Sequence, residues 1–196
     1  MPLWGAVEGS ESLPKFLTTA QQKDVFANQS GWVVEAGSAM TGNGNTSADP
    51  EILVAIGNLA GLSGTTGLGE ATIATANWDI TTFDKSAGGT LSVTVRYNEI
   101  VNVAVSNPTI IVTNDTNSNH TLTYASGTGT HELTFTLVIA AANAATDADD
   151  VLSIAAQSIV LASSSTIKDT SDTPQNAELA ISSAHGTACG TITVVA

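Results

Sequence analysis

The chain has 196 residues and a formal net charge of −13, with 5 Lys plus Arg against 18 Asp plus Glu. Hydrophobic residues make up 42% of it, enough for a packed core, so wholesale disorder is excluded. Five scattered cations exclude the clustered positive surface that nucleic acid or an anionic membrane requires, and no stretch approaches the roughly 18 apolar residues of a membrane span.

The opening MPLWGAVEGSESLPKF has no basic segment, and Glu8 and Glu11 interrupt its short apolar stretch. It does not read as a secretory signal, and the expectation is synthesis in a cytoplasm without export by that route. Residues 1–30 carry Leu3, Trp4, Phe16, Leu17 and Phe26 without a period that would bury them within the segment. TTAQQKDVFAN suits a short helix with Thr18 or Thr19 as N-cap. The segment is expected to be an extended arm that packs on another subunit, through Leu3, Trp4, Phe16, Leu17, Phe26 and Trp32. Buried aromatics dominate such contacts, which puts Trp4 and Trp32 foremost.

GWVVEA and EILVAIGNL read as strands joined by the turn-forming loop GSAMTGNGNTSADP. AGLSGTTGLGE then reads as a flexible linker. The expected division is an arm and short β region over 1–69 and a separate all-β domain over 70–196.

From residue 70 the period of two becomes strong. In TLSVTVRY, Leu91, Val93, Val95 and Tyr97 share a face; in HELTFTLVIA, Leu133, Phe135, Leu137 and Ile139 do. This alternation marks half-buried strands. TIATANWDI, IVNVAV, PTIIVT, TLTYAS, VLSIAAQSIVL, AELAIS and TITVVA are further candidates, separated by turn clusters. Strands at roughly 8–12-residue spacing predict a β-sandwich.

The run Val93–Val103, then Pro108–Ile110, Thr123–Thr130, Leu133–Ile139, the acidic loop Asp147–Asp150 and a turn at Thr166–Asp169 resemble, in order and spacing, the bacterial immunoglobulin-like repeat of large surface adhesins. The resemblance implies an immunoglobulin-like β-sandwich used for display and spacing. Pro2, Leu3, Trp4, Gly5, Pro14, Lys15, Leu17, Gly31 and Trp32 are similar to the opening of structural proteins in tailed phages of cyanobacteria and other marine bacteria. Together these imply a non-enzymatic virion structural protein, a capsid decoration or cement subunit made in the host cytoplasm. Its implied place is the outer capsid surface, and its partners are the major capsid protein or other virion subunits. A homo-oligomer is expected, with no nucleic acid, membrane or cofactor. The alternatives are a tail, neck or fibre component of the virion, and a cell-surface or glycan-adhesive module.

Candidate chemistry is thin. Cys189 is the single cysteine, which excludes an internal disulfide and a multi-cysteine zinc site. His185 and Cys189 form a Cys–His pair without a third orienting residue. Asp115-Thr116-Asn117-Ser118-Asn119 begins like a calcium loop but has His120 where Gly is needed and Ser126 where a bidentate Glu is needed, so a hairpin turn built on Asx bonds is expected. No metal site is expected; Asp147, Asp149 and Asp150, with Asp169 or Asp172, are the candidates if calcium binds. Trp4, Trp32 and Trp78 lie too far apart in sequence to mark a sugar-stacking platform and read as core or interface anchors.

Overall fold

Thr- and Val-rich segments with alternating apolar residues favour extended backbone, because branched side chains pack well on a pleated, half-buried surface. The computed structural model describes residues 13–60, 67–104 and 107–196. Of the described residues 44% are in strands and 6% are helical, so the chain is all-β. In chain order the strands are β1 (Val25–Asn28), β2 (Gly31–Val34), β3 (Glu51–Ala55), β4 (Ile73–Trp78), β5 (Phe83–Asp84), β6 (Gly89–Ala104) and β7 (Thr109–Asn114). There follow β8 (His120–Ser126), β9 (Thr130–Ile139), β10 (Val151–Ser153), β11 (Gln157–Ser158), β12 (Thr166–Asp169) and β13 (Ala180–Ile181), then the helix α1 (Ser183–Cys189) and β14 (Thr191–Val195).

β6 organises the sheet. TLSVTVRY and the first five residues of IVNVAV, which read as two strands, belong to this one strand of 16 residues. β9 pairs antiparallel along it from Gly89↔Ile139 to Arg96↔Glu132, and β4 and β12 pair antiparallel with successive parts of it. The sheet order runs β3-β2-β1-β6-β9-β8-β7-β10-β14-β5, and the short β5 lies parallel to β14. Between Arg96↔Glu132 and Val101↔Thr130 the register shifts, so Tyr97–Ile100 oppose the single residue His131. Such a bulge bends the strand and breaks its pairing with β9 locally.

The alternation places the main core. Leu91, Val93, Val95 and Tyr97 from β6 and Leu133 and Phe135 from β9 are buried, as the pattern predicts; Leu137, expected with them, is half-buried at the core's edge. Ile110 and Val112 of β7, Leu122 of β8, Leu152 of β10 and Ile192 and Val194 of β14 complete one cluster.

A second core lies at the N-terminal end. Leu17, Val25, Ala27, Trp32, Val34, Leu59 and Ala60 are buried together, with Leu53, Val54 and Leu68 packed against them. The region expected to be an arm therefore closes a core of its own. The expected helix over TTAQQKDVFAN is one 3-10 turn, Gln21–Asp24, after which Val25 starts β1. Its N-cap is Ala20, without a side-chain cap, rather than Thr18 or Thr19; Thr18 instead bonds to Gln21, its hydroxyl accepting from the Gln21 N–H while its own N–H donates to Gln21 Oε1. β1 and β2 form a hairpin through Gln29 and Ser30. Gly31, at φ +129°, is required there, since a Cβ would stand 2.1 Å from the Val54 carbonyl oxygen. The sheet passes through the expected boundary at residue 69, because Ala27 of β1 pairs in parallel with Glu99 of β6.

Thr166–Asp169, expected as a turn, is a strand on β6, and only Ala180–Ile181 of AELAIS pairs, with β11. α1 was not expected. Ser182 caps it, accepting from the His185 N–H while its own N–H donates to His185 Nδ1.

Phe135 has no exposed surface, so Phe135→Ala is expected to cost about 3–5 kcal/mol in urea unfolding. Val138 on the same strand is 75% exposed, and Val138→Ser should stay within about 0.5 kcal/mol of the parent.

Candidate functional site

The residues expected to contact another subunit separate into two groups. Leu3 and Trp4 lie outside the described residues. Of the other four, only Phe16 is exposed. Leu17 and Trp32 are in the N-terminal core, and Phe26 packs its ring on His131 at 4.4 Å with 14° between planes. Leu17, Phe26 and Trp32, expected to meet a partner, are thus buried within the chain itself, and β1 and β2 are buried on both faces. The surface that the region does present is β3. It ends the sheet order, with Glu51, Ile52 and Ala55 exposed and Leu53 and Val54 half-buried.

Polar side chains gather where the N-terminal strands meet β6 and β9. His131, buried in the bulge, lies with Nε2 3.6 Å from Glu35 Oε2 and 3.4 Å from the Lys23 carbonyl. Glu132 Oε1 accepts from Arg96 Nε at 2.5 Å, and Asp24 Oδ2 accepts from Ser38 Oγ at 2.6 Å. Burial, then Glu132 and Asp24, push the Glu35 carboxyl up to about 7. Burial also lowers the His131 pKa, which keeps the imidazole neutral. Glu35, His131 and Glu132 are the metal-type cluster among the described residues, and they line one side of a cavity of about 340 Å³ with Phe26, Ile100 and Thr130.

A second polar group is buried beside the junction. Glu99 continues the row Leu91, Val93, Val95, Tyr97 and is followed in it by Val101, so the alternation that builds the core carries a carboxyl inward. Asp169 of β12 is equally buried; its Oδ1 accepts from Ser171 N, Ser171 Oγ and Gln175 N. Glu99 Oε1 and Asp169 Oδ2 are buried without a hydrogen-bond partner. Burial, and then the Asp169 charge, raise the Glu99 pKa to about 8. Glu99 therefore holds its proton at neutral pH.

In the acidic loop considered for calcium, Asp147 and Asp150 are engaged by neighbouring donors. Asp150 accepts from Asn114 Nδ2, Thr116 Oγ1, Asn117 Nδ2 and the Asp147 N–H. Burial opposes its ionisation, but these bonds outweigh it and hold Asp150 well below the usual carboxylate range. Asp147 pairs with Lys85 and accepts from Asn117, Asp149 is exposed at φ +71°, and Asp169 uses Oδ1 for its three bonds while its Oδ2 has no partner. Asp150 thus ties the β7–β8 turn to the loop before β10. The turn itself is of the expected Asx kind: Asn114 Oδ1 accepts from the N–H groups of Thr116 and Asn117.

His185 and Cys189 do not form a nucleophile pair. His185 Nδ1 is taken by the Ser182 N–H, and burial pushes the Cys189 thiol up to about 11. Trp78 donates to the Gly190 carbonyl and anchors β4 beside α1.

No family model, curated protein or solved structure matches the chain. No helix among the described residues is long and apolar enough to cross a membrane.

Glu99 gives the protein a pH dependence of defined sign. Its folded pKa of about 8 lies above the ordinary glutamate value of 4.5, so the native state binds the proton more tightly than the unfolded chain. The stability that Glu99 contributes is fully present below about pH 4.5 and is lost as pH rises through about 8. Glu35, raised to about 7, adds a smaller slope of the same sign. Urea midpoints measured between about pH 5 and pH 9 should decline in the parent and much less in Glu99→Gln; equal slopes would refute the assignment.

Proposed function

We propose that the protein is a non-enzymatic structural component of a tailed-phage virion, a capsid decoration subunit. In this reading its N-terminal β region binds the shell, and residues 70–196 form an immunoglobulin-like sandwich that projects outward. The all-β architecture supports the sandwich, as do the core shared by the inward faces of β6, β9, β8, β7, β10 and β14 and the parallel docking of β5 on β14. The charge of −13 favours a position facing away from packaged DNA.

The observation that carries the anchoring role is the free edge of β3. An edge strand presents unpaired N–H and C=O groups and is a template for a strand from another chain. The described chain covers this edge with no strand of its own, and Ile52 stands on it 58% exposed. The occupant is a strand or extended loop of the major capsid protein, paired through main-chain bonds and seated by Ile52. Buried aromatics of the N-terminal region serve instead to hold the edge rigid.

Deleting residues 1–30 would remove β1 and part of the second core, so the test is a surface substitution. Particles lacking the protein are incubated with the parent, with Ile52→Lys and with Val160→Lys, a change at another exposed apolar residue. Ile52→Lys should keep the parent melting temperature and lose decoration, while Val160→Lys should decorate normally. Occupancy by Ile52→Lys equal to that of the parent would remove the β3 edge from the interface. Copy number in native particles separates capsid decoration, in the hundreds, from a neck or fibre position with a few copies.

A further inference from the structure

Three side chains able to ligate a metal ion meet where the N-terminal strands dock on β6 and β9. Glu35 follows β2, while His131 and Glu132 are neighbours in β9. One ligand atom from each lies within 4.8 Å of the others. In a regular strand, adjacent residues point to opposite faces. His131 and Glu132 keep that alternation, buried and half-buried in turn, yet their ligand atoms come within that distance beside the register shift at which His131 alone opposes Tyr97–Ile100.

We infer that Glu35, His131 and Glu132 form a binding site for a divalent first-row transition metal, with zinc as the type ion. Imidazole and carboxylate together suit this class, whereas calcium and magnesium prefer all-oxygen shells of higher number. The imidazole is held in place: it is 4% exposed and stacked on Phe26. When Nε2 is unprotonated, its lone pair and Glu35 Oε2 are two acceptors 3.6 Å apart, an arrangement that a cation satisfies. Arg96 engages Glu132 Oε1 and leaves the other oxygen of that carboxylate available. The charge balance points the same way, since Asp24, Glu35 and Glu132 all act on this locus against the one guanidinium of Arg96. Three protein ligands leave a coordination position open, and the cavity of about 340 Å³ lies against them with room for water or a partner's side chain. Because Glu35 belongs to the N-terminal strands and His131 and Glu132 to β9, a bound ion would also pin the two cores together.

Chelator-treated protein is titrated with Zn2+ by calorimetry, and with Co2+ while visible absorption is recorded. The parent should bind one ion per chain, show cobalt d–d bands, and melt at a higher temperature with Zn2+ than without it. His131→Phe keeps the stack on Phe26 but has no ligating nitrogen, and Glu35→Gln alters a partly exposed carboxylate without changing its shape. Each should weaken Zn2+ binding at least about tenfold, as loss of a ligand requires. Should His131→Phe fail to fold, Glu35→Gln alone decides. The remaining histidines, His120 and His185, provide the contrast, and His185→Gln should bind Zn2+ like the parent. No binding by the parent, or binding unchanged in Glu35→Gln, would overturn the site.

Discussion

Everything in this molecule is referred to one strand. β6 has a single inward row, Leu91, Val93, Val95, Tyr97, Glu99 and Val101, and β1, β4, β9 and β12 each pair with some part of it. Its first half is held between β4 and β9 and faces a wholly apolar core. Its second half is where the strand bends, takes up β1 and β12, and turns a carboxyl inward. Period-two backbone geometry leaves no choice about that carboxyl: a residue two places from Tyr97 and two from Val101 must point where they point. The polar junction between the two cores is thus a direct result of continuing one strand through both.

A chain with so few cations cannot settle its acids by ion pairing alone. Among the described residues Lys85–Asp147 and Arg96–Glu132 are the Lys or Arg pairs. The rest of the work falls to amide and hydroxyl donors, most clearly at Asp150, where side chains of Asn114, Thr116 and Asn117 and a backbone N–H converge. This explains a composition rich in Asn, Ser and Thr: these residues can bond to backbone groups two or three positions away and fix loops without charge. It also explains why an acidic cluster that suggests calcium in the sequence serves as a brace in the structure.

The main core was legible because its strands have one wet face and one dry face, so Leu91–Tyr97 and Leu133–Phe135 announce their register. The N-terminal core was not, since four-residue strands buried on both faces show no alternation; Val25, Phe26 and Trp32 look scattered for that reason. α1 was hidden by Gly186 at its centre, which reads as a breaker. In the fold it is the residue that lets the helix approach Ile154, where a Cβ would meet the carbonyl oxygen at 2.1 Å. Glu35 and His131 lie almost a hundred positions apart, and no spacing rule joins them. The signal that was available was Glu99, an acid set in an otherwise apolar row of the motif itself.

The two cores share little more than a seam. Between β1 and β6 the register holds at one pair, Ala27 and Glu99, supported by Phe26 on His131 and by groups that change their charge near neutrality. Cooperative units of a protein separate where few apolar contacts cross and where backbone hydrogen bonds are sparse. Amides of β1 and β2 are therefore expected to exchange with solvent through an opening that leaves β6 and β9 intact, at lower free energy than global unfolding. Alkaline conditions, which charge Glu35 and Glu99 together, are expected to widen that gap.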